Sequence, residues 1–349
     1  MFTQLLDLAT APHGVDRFLE LVRPTWAADD TRARVVAVDR ETPDAVTLTL
    51  RPGRGWARGQ AGQHVRLGVE IDGRRHTRCF SLSSSAARTD GLVQVTVKAH
   101  PGGIVSRHLV DHARPGTMVA LGRPEGDFTL PVRRPERLVL ISGGSGITPV
   151  MAILRTLLDE GSTAPITFLH YARTAADVIY AVELAHLGAT HDHLGVHVVL
   201  TSEAGRLTAD HVAALVPDLA TAEAYACGPV GLVDAVIAHW DAVGATERLH
   251  VERYALVTVE RGDDAVGAQV RFTGGDLTVT SDGSTLLEQA EAAGLTPAFG
   301  CRMGICRTCT RTKTAGQVRD VRSGALSTTG EEPIQLCVSA PCSDVVVDL

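Results

Sequence analysis

Nowhere in the 349 residues is there a run of eighteen apolar residues, the length a helix needs to span a bilayer. Basic residues are missing ahead of Arg17, and no continuous apolar stretch accompanies them, so no secretory leader is expected. Cationic excess is missing too. Thirty-three Lys and Arg against forty Asp and Glu leave a formal charge of -7, which gives no reason to expect nucleic acid as a partner. No repeat of solenoid length and no low-complexity tract breaks the chain. What remains is ordinary globular material, 44% hydrophobic and long enough for two or three domains.

The chain is organised around Phe299 to Thr310, FGCRMGICRTCT, where Cys301, Cys306 and Cys309 fall as C-x4-C-x2-C and Cys337 follows after a long gap. That is the ligand spacing of a plant-type [2Fe–2S] cluster, three thiolates from one loop and one from elsewhere. Gly300 and Gly304 suit backbone folded tightly around such a cluster. A structural zinc site is the rival reading, but its usual form pairs two similar cysteine knuckles across a gap. Around the loop, Val270 to Phe272 and Leu277 to Val279 read as a hairpin about Gly274-Gly275. Thr285 and Glu288 form a capping box opening a helix that ends at Gly294. Ile334 to Val338, with Cys337, and Val345 to Leu349 read as closing strands. On these residues the last quarter of the chain resembles a plant-type ferredoxin, which implies an α+β β-grasp domain. The three other cysteines, Cys79, Cys227 and Cys342, are odd in number and far apart. They exclude a disulfide framework and lead us to expect a reducing, cytoplasmic setting.

Residues 1–30 form an extension with two short amphipathic patches, broken by Pro24. It packs on its own protein or, through residues 2–22, associates peripherally with a membrane or partner. From Arg32 come short β-rich runs: Arg34 to Val38, Val46 to Leu50, His64 to Ile71, His76 to Leu82, Leu92 to Lys98 and Met118 to Leu121. With Asp72-Gly73 as a hairpin turn, they predict a small antiparallel β-barrel. Within it, Arg78-Cys79-Phe80-Ser81-Leu82 offers a cation for phosphate and an aromatic face and hydroxyl for a flat heterocycle. Gly102-Gly103-Ile104-Val105-Ser106 opens a helix whose N–H groups suit an anion. The two motifs together, with Gln63-His64-Val65 after Gly62, resemble the flavin-binding domain of the ferredoxin–NADP reductase superfamily. The resemblance implies Phe80 against the isoalloxazine, Ser81 at the flavin N5 region, and Arg78 with Ser106 on the phosphates. Leu82, Lys98, Gly103 and Val105 complete the implied flavin set, and the Gly103 to Ser106 turn resembles the FAD-using branch more than the FMN-using one.

Beyond Pro131 the apolar run Leu138 to Ile141 reads as a buried strand, followed by Gly143-Gly144-Ser145-Gly146-Ile147-Thr148-Pro149 and a helix. Strand, glycine loop and helix make a pyrophosphate-binding unit. Strands over Ile166 to Ala172, Val196 to Leu200, Glu223 to Cys227 and Leu249 to Tyr254 alternate with helices over Ala175 to Leu187 and Val230 to Val243. This pattern predicts an open parallel α/β sheet. Cys227-Gly228-Pro229 stands at its ligand-binding edge. In the same superfamily G-G-x-G-I-T-P and C-G-P are the nicotinamide-dinucleotide signatures. The match implies that Gly143, Gly144, Gly146, Thr148, Gly228 and Pro229 hold the dinucleotide, that Cys227 lies by the nicotinamide, and that Glu252 and Tyr254 lie near the flavin. NADPH and NADH both stay open: Arg173 and Arg206 suit a 2′-phosphate, whereas Glu203 follows Ser202 where many NADPH users carry Arg. His191, His193 and His197 lie between helix and strand without a metal-binding constellation.

The expected domains are the extension 1–30, the flavin barrel 31–132, the dinucleotide domain 133–255, a linker 256–267 and the ferredoxin domain 268–349. Nicotinamide releases two electrons as hydride and a [2Fe–2S] cluster takes one; a flavin converts between them, so the order is chemically coherent. The resemblance extends to reductase components of oxygenases and fatty-acid desaturases. It implies an NAD(P)H-dependent reductase with Ser81, Cys227 and Glu252 at the reacting centre. The acceptor would be an oxygen-activating metalloenzyme: a desaturase, a monooxygenase or a cytochrome P450-like protein. Arg302, Arg307, Arg311, Lys313, Arg319 and Arg322 surround the cluster motif and fit an acceptor with an acidic docking patch. The alternative class is a redox-responsive sensor with the same cofactors.

Overall fold

Alternating β-branched residues between 32 and 121 drive the first sheet, and their inward set fills its interior. The computed structural model describes residues 32–100, 102–216, 219–253, 266–299, 304, 307–322 and 324–349, Arg74 by its backbone alone. The extension 1–30, Tyr254, most of the linker, Cys301, Arg302 and Cys306 lie outside the described residues. The chain divides into two units, Met1–Tyr254 and Ala255–Leu349.

In the first unit, strands β1 (Arg32–Thr42), β2 (Ala45–Pro52), β3 (His64–Ile71), β4 (Arg74–Ser81) and β5 (Val93–Lys98) precede helix α1 (Ile104–His112) and strand β6 (Met118–Leu121). The antiparallel order is β4-β3-β6-β1-β2-β5, and a bridge from Leu82 to Val95 joins the outer strands into the expected barrel. Asp72 and Gly73 both have positive φ, 50° and 71°, the backbone of a tight hairpin turn. Helix α1 closes one end, driving Val105, Leu109 and Val110 into the core with Val35, Leu48, Leu67 and Val95.

Next come β7 (Leu138–Gly143), α2 (Ile147–Asp159), β8 (Ile166–Ala172), α3 (Ala181–Thr190), β9 (Leu194–Leu200), α4 (Thr201–Ala204), α5 (Ala209–Leu215), β10 (Glu223–Gly228), α6 (Val230–Ala242) and β11 (Leu249–Arg253). The strands are parallel in the order β11-β10-β7-β8-β9. The chain therefore reverses direction across the sheet between β7 and β10, the point where such sheets open a ligand crevice. One difference from the sequence reading falls at the helix expected over 175–187. Thr174 and Asp177 form a capping box on a single turn, Ala175–Asp177. Tyr180 then adopts φ 60° and the helix proper starts at Ala181. A tyrosine in left-handed backbone breaks the run.

The second unit contains β12 (Val266–Phe272), β13 (Leu277–Asp282), α7 (Leu286–Ala292), β14 (Thr310–Ala315), β15 (Val318–Asp320), β16 (Glu332–Gln335), β17 (Ser339–Pro341) and β18 (Val345–Val347). The main sheet runs β13-β12-β18-β14-β16, with a parallel β12–β18 pair at its centre, and β15 pairs with β17. Helix α7 opens on the expected capping box of Thr285 and Glu288. The strand expected over 334–338 stops at Gln335, and Cys337 rides on a helical turn, Leu336–Val338. Lys313 on β14 is fully buried. Its ammonium donates to the carbonyls of Thr328 (3.1 Å) and Gly330 and pairs with Glu332 at 3.4 Å. Three oxygens replace the hydration that burial removes.

Candidate active site

On β4 side chains alternate, so Arg78 and Phe80 share one face and Cys79 and Ser81 the other. Phe80 is half-buried and packs against the barrel core. Arg78 Nη1 donates to the Thr77 carbonyl at 2.8 Å. Ser81 is 3% exposed and stands opposite His64 in the β3–β4 register. Leu82 is buried where it closes the barrel. At α1, a Cβ on Gly103 would come 2.4 Å from Ser106 Oγ, so a side chain there would displace that hydroxyl. Ser106 Oγ accepts from the His100 N–H at 3.4 Å. The opening N–H groups of α1 have no acceptor within the helix and suit a phosphate. Val105 contributes to such a site through its main chain alone, because its side chain is 1% exposed in the barrel core. Lys98 pairs with Asp44 (3.4 Å) and with Asp177 (3.8 Å), an ion pair from the barrel to the loop after β8.

The glycine loop after β7 divides into two kinds of glycine. A Cβ on Gly143 would meet Pro229 Cδ and Leu232 Cδ1 at 2.9 Å, and one on Gly146 would meet the Cys227 carbonyl oxygen at 2.2 Å. These two let the loop lie directly on the Cys227-Gly228-Pro229 turn, where Pro229 caps α6. Gly144 is different, with φ 53° and nothing within 4 Å of its Cβ direction, so it faces open space. Thr148 Oγ1 donates to the Ser145 carbonyl at 3.1 Å and pins the loop. Arg173 and Arg206 are both exposed, and the Ser202 N–H donates to the Arg173 carbonyl at 3.1 Å. The segments after β8 and β9 are thus tied together, bringing Glu203 to the same edge.

Cys227 is fully buried between Ser142 on β7 and Glu252 on β11 in the sheet register. Glu252 Oε1 lies 3.9 Å from Nδ1 of His64, and their side chains are 13% and 6% exposed. His64 is therefore the joint between the two halves: its backbone faces Ser81 and its ring faces Glu252. Sequence reasoning had placed His64 on a strand without giving it a role; only the packing of barrel on sheet reveals one.

In the second unit Cys309 and Cys337 are buried, 1% and 5% exposed. The Leu336 N–H donates to the Cys309 carbonyl at 3.2 Å, holding the segments of the third and fourth expected ligands side by side. Gly304, with φ 71°, supplies the turn between the first two. Two adjacent buried thiols and a left-handed glycine fit an iron–sulfur cluster; Cys301 and Cys306 lie outside the described residues.

Residues 46–130 match the oxidoreductase FAD-binding domain family, 140–237 the oxidoreductase NAD-binding domain family and 271–342 the 2Fe-2S iron-sulfur cluster binding domain family. The chain is 40% identical to the NADPH oxidoreductase of Mycobacterium tuberculosis over 344 residues, covering 97% of this chain and 90% of that protein. The chain belongs to the ferredoxin–NADP reductase-type [2Fe–2S] reductases. A second relative of this reductase is the glycine betaine monooxygenase reductase subunit of Pseudomonas aeruginosa, 31% identical, with 93% of this chain and 96% of that one covered. Phthalate dioxygenase reductase shares the fold at a TM-score of 0.67, with 20% identity, over 92% of this chain and 98% of that one. The reductase is an electron-transfer oxidoreductase of the oxygenase-system type that uses FAD, a nicotinamide dinucleotide and a [2Fe–2S] cluster. Among the described residues no helix is long and apolar enough to cross a membrane. FAD, when bound, supplies the conversion between paired and single electrons.

Under the glycine loop of the reductase, His170 on β8 is fully buried, with Ser142 Oγ 2.8 Å from its Nδ1, and its Nε2 has no hydrogen-bond partner. Burial holds the imidazole at about 4, against an ordinary 6.5. The folded state thus binds fewer protons here than the unfolded one, so stability is present above about pH 6.5 and drains away as pH falls toward 4. The denaturation midpoint of the first unit, followed by flavin fluorescence, is expected to fall through that window. His170→Gln should flatten the fall between pH 6.5 and 5, and an unchanged slope would assign the acid sensitivity elsewhere.

Proposed function

We propose that this reductase takes hydride from NADPH and delivers electrons singly to an oxygen-activating metalloenzyme, a monooxygenase or desaturase. The observation that carries the reading is the meeting of Ser81, His64 and Glu252 beside Cys227, at the carboxyl edge of the parallel sheet. A hydroxyl on the flavin strand and the edge that suits a nicotinamide then serve one reacting centre. In this reading Phe80 stacks on the isoalloxazine, Ser81 donates toward N5, and Arg78, Ser106 and the α1 N–H groups hold phosphate. Gly144 admits the pyrophosphate, Cys227 lies by the nicotinamide and Glu252 near the flavin. Anaerobic titration with NADPH should bleach the flavin and then raise the EPR signal of a reduced [2Fe–2S] cluster. A colourless zinc protein would sink the proposal.

For the donor, exposed Arg206 is the cation offered to a 2′-phosphate, and the Mycobacterium relative, an NADPH oxidoreductase, supports NADPH. Glu203, where many NADPH users carry Arg, weighs against a 2′-phosphate, so the choice is measurable. Arg206→Ala is expected to raise KM for NADPH about tenfold, one charge-assisted contact, with little change for NADH. Equal effects on both donors would remove the assignment.

For the acceptor, Arg307 supports an acidic docking patch. It is exposed, and it holds φ 54° directly after the second expected ligand, Cys306. Left-handed backbone costs a non-glycine residue about 1 kcal/mol, so its retention there favours a role for the side chain. The Thr310 N–H and Oγ1 both donate to its carbonyl, at 3.0 and 2.7 Å. Docking of this kind weakens with salt. The extension 2–22, for which peripheral association is proposed, lies outside the described residues; the odd number and wide spacing of Cys79, Cys227 and Cys342 in the sequence favour a cytoplasmic setting.

A further inference from the structure

Gly304 falls within the three-cysteine loop, between Cys301 and Cys306, and its carbonyl accepts from Arg322 Nη1 at 3.0 Å. A Cβ on Gly304 would stand 2.3 Å from that nitrogen. Glycine is what lets the guanidinium lie on the loop. Asp320 grips the other side of the same guanidinium, Oδ1 accepting from Nε at 3.1 Å and Oδ2 from Nη2 at 2.6 Å. The Arg322 N–H also donates to Asp320 Oδ1, at 2.8 Å.

The carboxylate is itself fixed. The Asp320 N–H donates to the Ala325 carbonyl at 2.8 Å, and its carbonyl accepts from the Gly324 N–H at 2.7 Å. The Val321 N–H donates to the carbonyl of Val338 at 2.9 Å, the residue after Cys337. The brace therefore links the loop of the first three ligands to the segment holding the fourth, with its positive end toward the loop.

We propose that Arg322 is a positioning residue for the cluster and that the orientation of the Asp320–Arg322 pair sets the cluster's reduction potential. Reduction adds one negative charge. A guanidinium closer to the loop than its carboxylate stabilises the reduced state, and the potential of such a cluster follows net charge, hydrogen bonding and exposure. The Nη1 bond to the Gly304 carbonyl also ties that residue to the pair. The inference rests on the [2Fe–2S] reading of this site.

The two partners predict opposite signs, which a merely structural brace does not. In redox titrations of the full-length protein followed by EPR, Arg322→Gln should shift the one-electron equilibrium against reduction roughly tenfold, about 59 mV downward, because it leaves Asp320 unbalanced. Asp320→Asn should shift it upward, because it leaves the guanidinium unbalanced. Arg322→Lys, keeping charge without the planar fork, should hold the potential near that of the unaltered protein while the cluster is lost faster to a chelator. Shifts of the same sign in the first two variants would overturn the proposal, as would changes under twofold with full iron content. If Arg322→Gln does not assemble a cluster, Asp320→Asn decides, and a potential that fails to rise overturns the proposal. An unaltered protein with zinc in place of iron would overturn the cluster reading as well, a result distinct from same-sign shifts.

Discussion

Gly146→Ala is expected to slow reduction by NADPH by about a hundredfold, the size of effect that follows a displacement of about 1 Å at a reacting centre. The added methyl would sit 2.2 Å from the Cys227 carbonyl oxygen and 2.7 Å from Gly228 Cα. Both obstacles are backbone, one of them the end of a buried strand, so neither can swing aside. The glycine loop must lift away from the Cys-Gly-Pro turn, and the turn carries Cys227, whose register neighbour is Glu252. The three nearest atoms all belong to the Cys227-Gly228 backbone, so the damage is expected at the dinucleotide edge. Stopped-flow bleaching of the flavin by NADPH should therefore collapse, while photoreduction of the same flavin and dithionite reduction of the cluster proceed normally. A rate within threefold of the unaltered protein would show that the loop tolerates the displacement.

Tyr180→Ala should destabilise the first unit by about 3–5 kcal/mol, the cost of truncating a fully buried aromatic. The tyrosine belongs to the dinucleotide domain, yet its hydroxyl bonds Thr96 on barrel strand β5, and its N–H reaches Glu41 on β1 at 3.3 Å. Burial pushes the phenol pKa up, so it remains neutral. Arg155, two turns along α2 from the glycine loop, stacks its guanidinium over the ring at 4.6 Å. Arg155 also donates to the Ser83 carbonyl, next to the flavin strand, and is gripped by both carboxylate oxygens of Glu183. Losing the ring removes the shared floor beneath these contacts, so the barrel and the sheet should loosen together. Tyr180→Phe keeps the ring and should cost only about 1 kcal/mol for the lost hydroxyl bond. Denaturant curves of the two variants, followed by flavin fluorescence, test this; equal costs would assign the stability to the hydroxyl alone.

The glycine and cysteine signatures were legible because each glycine and thiol answers a local demand. The hairpin at Asp72-Gly73, the capping box at Thr285 and strand β8 at Ile166–Ala172 were legible for the same reason. Tyr180 was not. Nothing in a helical apolar pattern announces that one member will take left-handed backbone to reach another domain. His64 was missed because Glu252 is distant in sequence and meets its ring only when barrel and sheet pack. Cys337 was read onto a strand because the apolar alternation of 334–338 continues through it, whereas the chain turns there to present the thiol. Lys98 and Val105 were read as cofactor contacts by position alone; the side chain of one is spent on two aspartates and that of the other on the barrel core.

The buried ammonium of Lys313 has a practical corollary. Lys98 and Lys313 are the only two lysines in the sequence, against thirty-one arginines. Lys313 is sealed off entirely, and the Lys98 side chain is 17% exposed and held by two carboxylates. Amine-reactive dyes, amine cross-linkers and lysine-specific proteases should thus pass over the folded described residues almost without effect, and guanidinium-directed reagents are the ones that will map the basic surface of this reductase.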